Sequence, residues 1–541
     1  MIATKNWRSL LDYQTTLPRD QDYQCWYYTA FYHEGKKDIA FDGAQDLWMS
    51  GKSVSNACND LFQFWTEAGL RTDDVIKRRA LLSIEERNPK LIKYLGKLVS
   101  NDEDRLVLSE MYRLYQNPIK MMIAFNDKEE TQFNKDYAKS LLKHLVRNNR
   151  DKAYSAFTHI TGRYSYTPDE LQITSEFIAV RLLTNTEIDT VAWRDDVFKR
   201  SNNDLVLVQR LRLAISKANW QEVYFWISRL SDTTQATYRW QYWLGRSEIA
   251  LGEKEKGEAR LKRIMGYRHF YSFAAAITLN RDLKYPISGV VLEGDELIDY
   301  KPGIERVTEL LALGKSEPAK SQWRHLIKNA SYKNRARLAT YAKQEGWHDF
   351  SFESTLEGEL WDYLDLRFQV RYYSLFKRYG TKNKVNPVTL MALARQESGF
   401  NSLSQSPVGA LGVMQILPST AQYMADKYQS NYKQRSDLLD AQKNIAIGSQ
   451  YLGSLLRHYK QNRAFAFSAY NAGPTMVAVW RKQLSKDADV FAYIESITFK
   501  ETRVYVKNIF MFEEYYRYIL GINGDFLNGS ELGFNRKLKT K

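Results

Sequence analysis

Apolar positions recur every three to four residues along most of the chain. The run Leu205, Val208, Leu211, Leu213-Ala214 is one example, and its spacing predicts an amphipathic helix. No proline interrupts the stretch from Pro168 to Pro286. Helix starts are legible. Thr167-Pro168-Asp169-Glu170 offers a capping Thr, a Pro at the first helical position and a Glu three residues on. Trp240, Trp243-Leu244-Gly245 and Ala250-Leu251-Gly252 read as one helix hairpin of a tetratricopeptide-like array. No strict period emerges, so the array is irregular. The texture changes at Tyr285–Gly294, the most extended-looking segment. Lys301-Pro302-Gly303 then opens a second run of short helices reaching about Asp365, and a third block begins near Arg367. These breaks predict domains at 1–295, 300–366 and 367–541.

Length and composition agree with several cores. The 541 residues exceed what one core holds, and 44% hydrophobic with 26% charged residues excludes a disordered or collagen-like chain. No apolar run approaches the roughly 18–20 residues of a membrane helix, Phe270–Leu279 being short and interrupted by Tyr and Ser, so no stable membrane insertion is expected. Met1–Leu10 lacks the apolar stretch of a secretory signal. That leaves a cytosolic chain, or one whose leader is not in this sequence.

Charge is uneven. The formal net charge is +15, yet Arg367–Lys541 alone holds 25 Lys and Arg against 12 Asp and Glu. The basic tail Arg536–Lys541 belongs to this third. Such a face suits a polyanion, although a basic surface also simply solvates. No Cys/His finger spacing or Gly-aromatic signature singles out nucleic acid, and none is expected as partner.

The two cysteines, Cys25 and Cys58, fit one disulfide or two buried thiols equally well. Seven scattered histidines form no ligand spacing, so neither metal nor cofactor is expected. Gly51-Lys52-Ser53 and Gly314-Lys315-Ser316 mimic a phosphate loop. Asp46 and Glu309 stand where that loop needs glycine, so both are decoys.

The chemistry concentrates after Asn386-Pro387, a cap and first helical position. Leu390, Leu393, Ala394 and Glu397 follow at i, i+3, i+4 and i+7, which puts a carboxylate on an apolar stripe. Desolvation there raises its pKa, as a general acid near neutral pH requires. A Glu in an internal ion pair would give the same pattern. Between Val388 and Ala425, Glu397 is the only acidic residue. Most glycosidases use two carboxylates, so a lone one suggests a substrate that supplies its own nucleophile, such as a 2-acetamido group. A distant carboxylate such as Glu501 is the alternative partner. Three further segments place polar groups beside apolar runs: Ser406–Thr420, Ala469–Pro474 and Glu495–Val506.

At these residues the chain resembles the soluble lytic murein transglycosylases, glycoside hydrolase family 23. The family's Glu-Ser motif is Glu397-Ser398. Its Gly-x-Met-Gln motif is Gly412–Gln415, its Ala-Tyr-Asn-Ala-Gly motif Ala469–Gly473, and its Glu-Thr-Arg-x-Tyr-Val motif Glu501–Val506. Asp46–Ser53 with Asn56–Cys58, and Ala339–Glu359, are similar to the helical and linker domains of the large member. The resemblance implies an all-α superhelical N-terminal array, a small helical linker domain and a mainly α, lysozyme-like catalytic domain. It also implies a periplasmic location and a Cys25–Cys58 disulfide.

The resemblance further implies that Glu397 is the sole acid/base. It would protonate the oxygen between MurNAc and GlcNAc, then accept a proton from the MurNAc 6-hydroxyl, which attacks C1 and closes a 1,6-anhydro ring. Ser406, Gln415, Leu417, Thr420, Tyr470 and Glu501 match positions that bind substrate or orient the site, and Asn471 one that shapes a turn. Peptidoglycan glycan strands are the expected partner, attacked from their ends by a monomer. Leu417 departs from a Met and Thr498 from a Pro in a close relative. The chain is also expected to begin inside the helical domain, leaving the ring incomplete or differently closed. Two other readings are a hydrolytic goose-type lysozyme, and a wall-binding scaffold with a silent catalytic domain.

Overall fold

The computed structural model describes residues Met1–Leu532. The basic tail Arg536–Lys541 lies outside them. The described residues are helical with irregular connections. The only β pairing among them is two isolated bridges, Gln405 with Leu411 and Leu411 with Ile416. No described helix is long and apolar enough to cross a membrane. The chain divides into two compact units, Met1–Arg210 and Leu211 onward.

The first unit is a succession of short helices whose starts are written in the sequence. Asp20, Thr72, Asn88, Asn101 and Thr131 each accept a hydrogen bond from the first turn of the helix they precede. Thr167 forms the full capping box with Glu170, with Pro168 in the first turn. One continuous core runs from Cys25 to Leu182, including Trp65, Met111, Phe125, Tyr137 and Leu141. Cys25 and Cys58 are bonded and fully buried inside it, which resolves the open choice in favour of the bridge. The Gly51-Lys52-Ser53 decoy is a turn held by Arg79, whose guanidinium donates to the Ser50 and Lys52 carbonyls and lies 4.0 Å from the Trp48 ring. A Cβ on Gly51 would sit 2.2 Å from the Leu82 carbonyl oxygen, so the glycine serves close packing.

The second unit opens with the expected hairpin. Helices Tyr238–Ala250 and Lys254–Ile264 turn at Gly252, which has φ +96°. They cross at Gly245 and Gly257, where a Cβ on Gly257 would stand 2.4 Å from the Gly245 oxygen. Arg260 locks the pair by a two-pronged contact to buried Glu248 at 2.7 and 2.8 Å. The apolar Phe270–Thr278 helix is buried almost throughout. Residues 281–294 then run without helix, as their composition predicts, and Ser288 N–H bonds the Asp362 carbonyl. Four helices follow: Lys301–Ala312, Ser316–Asn329, Tyr332–Gln344 and His348–Glu357. They enclose Val307, Trp323, Ile327 and Leu338. The Gly314 decoy is the turn between the first two, with φ +69°.

The remaining helices form the block that carries the chemistry. Lys500–Leu520, the longest, packs along Pro387–Ser398 and Arg463–Ala472. Tyr373–Asn383 packs on Ala441–His458. Arg463 holds the end of the described chain, bonding Glu531 through two nitrogens, Glu513, and the Phe526 carbonyl.

Candidate active site

Asn386 caps the Pro387–Ser398 helix by accepting from Val388 N–H at 2.9 Å. Val388 to Ala394 are all buried, and the helix ends at Gly399 with φ +61°. Glu397 therefore leaves the last turn beside a packed core. Its carboxyl is pushed up to about 8, chiefly by burial. The nearby Glu501 charge adds to the rise, and the bond from Tyr505 opposes it. Tyr505 Oη donates to Glu397 Oε1 at 2.5 Å. The end of the helix is pinned on both sides of Glu397. Gln396 Oε1 accepts from Asn508 at 2.9 Å, and Ser398 Oγ donates to the Val413 carbonyl at 2.7 Å. The Arg395 guanidinium lies over Phe352 at 4.2 Å and bonds the Arg367 carbonyl.

Facing the helix is the loop 401–417, which has too little backbone pairing to form a sheet. Leu411 and Ile416 exchange both backbone bonds, at 3.1 and 3.0 Å, across a tight Gly412–Gln415 turn. Gly412 has φ +77°, and a Cβ there would strike the Leu438 oxygen and Asn444. Buried Asn444 ties the loop together. It accepts from Met414 N–H at 2.7 Å and donates to the Leu411 and Leu438 carbonyls. Tyr470 Oη adds a bond to the Met414 carbonyl at 2.9 Å.

The residues named from sequence take distinct positions around this loop. Ser406 turns its Oγ inward to accept from Ala410 N–H. Gln415, at φ +47°, donates to the Ser404 and Gly412 carbonyls, so its amide holds its own strained turn. Leu417 precedes the Pro418–Tyr428 helix and is 37% exposed. Thr420 lies in that helix's first turn, half-buried. Tyr470 is half-buried, and desolvation first, then the Glu397 charge, holds its hydroxyl well above the usual range. Glu501 is exposed in the first turn of the long helix, one turn before Tyr505. Asn471 accepts from Thr502 Oγ1 at 2.6 Å, linking two of the motifs. Thr498 accepts from Trp480 Nε1 at 2.9 Å, a bond that a proline at this position would not offer.

Tyr505 is the residue that the sequence reading left without a role. It sits inside the Glu501–Val506 motif, and its i+4 spacing from Glu501 was the available signal. Asn444 carried no signal: it lies in an ordinary helical stretch.

The chain resembles proteins of known type along nearly its whole length. It is 32% identical over 535 residues to the soluble lytic murein transglycosylase of Escherichia coli (strain K12), covering 98% of this chain and 83% of that protein. The chain belongs to the soluble lytic murein transglycosylases. Residues 374–490 match the transglycosylase SLT domain, 297–364 the soluble lytic murein transglycosylase L domain, and 496–524 the soluble lytic transglycosylase helical domain. A putative family member from Haemophilus influenzae is 30% identical over 380 residues, covering 70% of this chain and 62% of that protein. The crystal structure of the 70 kDa soluble lytic transglycosylase from Escherichia coli superposes with a TM-score of 0.85 at 31% identity. It covers 98% of this chain and 86% of that one. An inactive mutant of a lytic transglycosylase from Pseudomonas aeruginosa gives 0.84 at 25% identity, with the same coverage. The family fold is thus the expected one: an all-α superhelical array, a helical linker and a mainly α, lysozyme-like catalytic block.

Proposed function

We propose that this chain is a peptidoglycan lytic transglycosylase, a carbon–oxygen lyase that cleaves the MurNAc-β-1,4-GlcNAc bond and leaves a 1,6-anhydro-MurNAc end. The observation that carries the reading is the desolvated Glu397 carboxyl, pushed up to about 8 and bonded by Tyr505. A carboxyl with that value is protonated at neutral pH, so it can give its proton to the departing glycosidic oxygen. The resulting carboxylate then takes the proton of the MurNAc 6-hydroxyl as that oxygen bonds C1. No water is consumed, and the proton balance closes on one residue. Burial favours the neutral form before the step, and the Tyr505 bond stabilises the charged form after it.

The roles of the other residues follow from their places. Tyr470, Gln415 and Ser406 hold the loop that faces Glu397. Leu417, Thr420 and Glu501 are assigned to substrate contact by their places in the family's motifs, and Thr420 also lines an open cavity. The L-domain and SLT-domain matches support a linker domain at 300–366 and a catalytic domain at 367–541, after a helical domain at 1–295. Membership of the family supports a periplasmic, monomeric enzyme working from strand ends.

The test is digestion of purified sacculi with product masses read by mass spectrometry, with Glu397→Gln as control. Products one water lighter than hydrolysis products, absent with Glu397→Gln, are expected. Reducing-end products would indicate a lysozyme, and binding without products a scaffold.

A further inference from the structure

The Lys500–Leu520 helix has two working faces. Tyr505, Asn508 and Phe512 fall at i, i+3 and i+7 on one of them. Tyr505 bonds Glu397, Asn508 bonds Gln396, and the Phe512 ring lies 5.7 Å from the Arg395 guanidinium. This face therefore holds the helix that carries the acid. Arg503 and Lys507 fall at i and i+4 on another. At 3.6 residues per turn, Lys507 stands about 200° round the axis from Tyr505.

That second face is tied by directed bonds as well. Arg503 donates to the Ile497 carbonyl. Lys507 Nζ donates to Tyr271 Oη at 2.5 Å, and the Tyr271 hydroxyl donates to Glu495. Glu495, on the Val490–Ser496 helix, is fully buried and is gripped by two nitrogens of Arg239. Tyr271 is buried on the Phe270–Thr278 helix. It lies outside all three stretches that match the family's models, so a segment remote from the motifs reaches the helix that carries Tyr505. Adhesion alone does not call for such groups, because apolar side chains of similar volume hold a buried contact as well or better. Directed bonds add a single setting of the helix. The setting matters here, since the Tyr505–Glu397 bond is short and such a bond weakens steeply when misaligned.

We propose that Tyr271 and Lys507 are positioning residues for the reaction: gripping the Lys500–Leu520 helix away from the site, they fix the setting at which Tyr505 reaches Glu397. Neither touches substrate. They act through Tyr505, and Glu495 with Arg239 anchors them. The proposal rests on the transglycosylase reading and adds that helices upstream of the catalytic block take part in tuning its acid.

The experiment measures kcat and KM for anhydro-product release by wild type, Lys507→Met and Tyr271→Phe, and repeats each substitution in a Tyr505→Phe background. Each single variant should lower kcat about tenfold and leave KM unchanged, since no group that meets substrate is altered. The alkaline limb of the pH profile should move to higher pH, because a weakened Tyr505 bond lets the Glu397 carboxyl rise further. In the Tyr505→Phe background the same substitutions should have no further effect, because the hydroxyl they act through is gone. Tyr271→Phe keeps the ring and removes one oxygen, so it carries the test if Lys507→Met does not fold. An unchanged kcat, an unmoved limb or an additive loss in the double variants overturns the positioning role and leaves the transglycosylase reading intact. Failure of wild type to form anhydro ends overturns both.

Discussion

The Tyr505 hydroxyl donates to Glu397 Oε1 at 2.5 Å, joining two helices through residues 108 positions apart. Tyr505 is itself buried, and its hydroxyl is held well above its usual range by desolvation first and then by the Glu397 charge. It therefore stays a donor across the working pH range. A fixed donor of this kind sets the orientation of the carboxyl and tempers the rise that burial imposes.

Replacing that donor separates the two effects. In Tyr505→Phe the charged form of Glu397 loses a bond worth about 1.5–3 kcal/mol. Its pKa should climb further above about 8, so the alkaline fall in activity should move to higher pH. The turnover rate should drop roughly ten- to a hundredfold, because the step in which Glu397 gives up its proton loses the bond that stabilises the resulting carboxylate. A pH–rate profile of kcat/KM checks both. A lower rate with an unmoved limb would show that Tyr505 only packs.

The same carboxyl taxes the fold. Its folded pKa is raised to about 8 against about 4.3 in an unfolded chain. Below pH ~4 both states are protonated and there is no penalty. As pH rises to about 8, the unfolded chain ionises while the folded one resists, so stability falls by about 2–5 kcal/mol. Glu397→Gln does not titrate. It should melt above wild type at pH 8.5, with the gap closing toward pH 4. Parallel melting curves across that range would contradict a shifted carboxyl.

Much of this site was legible before any coordinates, for a local reason. Asn386-Pro387, the i, i+3, i+4, i+7 stripe ending in Glu397 and the Thr167 capping box are short-range patterns, and each holds. The hairpin at Gly245 and Gly252 is local too. What stayed hidden depends on distant chain segments. Asn444 reads as one polar position in a helix, yet it anchors a loop some thirty residues earlier. Glu495 was visible only as a polar group beside an apolar run, while its partners Arg212, Arg239 and Tyr271 lie more than 200 positions upstream. The two cysteines were undecided by spacing alone, because a bridge requires proximity that only the packing of their helices supplies.

The Gly412 turn gives a graded test of backbone strain. Gly412 and Gly409 both have positive φ, at +77° and +87°. A Cβ on Gly412 would come within 2.1 Å of the Leu438 oxygen and 2.4 Å of Asn444 Nδ2, whereas Gly409 faces open space apart from an Arg435 nitrogen at 4.0 Å. Gly409→Ala should cost about 1 kcal/mol, for strain alone. Gly412→Ala should cost about 3 kcal/mol or more, because it also displaces the Asn444 bonds. Urea unfolding of the two variants ranks them. Equal costs would mean that the loop relaxes around the added methyl.

The buried cluster around Glu495 predicts opposite signs for two neighbouring substitutions. Glu495 is fully buried and contacts the guanidiniums of Arg239 and Arg212, the Lys507 ammonium at 3.5 Å and the Tyr271 hydroxyl. Burial opposes its charge, but these cations, Arg239 foremost, hold it well below the carboxylate range. Its stabilising effect is present above the unfolded value near pH ~4.3 and survives well into acid. Among the cations around Glu495, Lys507 is the one that yields. Burial pushes its ammonium down to about 7. Below that value the folded state must carry an unfavourable charge, and stability recovers as pH rises through 7. Glu495→Ala should destabilise by about 3–5 kcal/mol at any pH from 5 to 8, by removing the buried anion that the Arg239 guanidinium contacts. Lys507→Met, which removes the desolvated ammonium and keeps the volume, should be neutral or stabilising at pH 6 and lose that advantage by pH 9. Urea melts at the two pH values decide it. A Lys507→Met variant that is destabilised equally at both would show that the ammonium contributes to the cluster as much as the guanidiniums do.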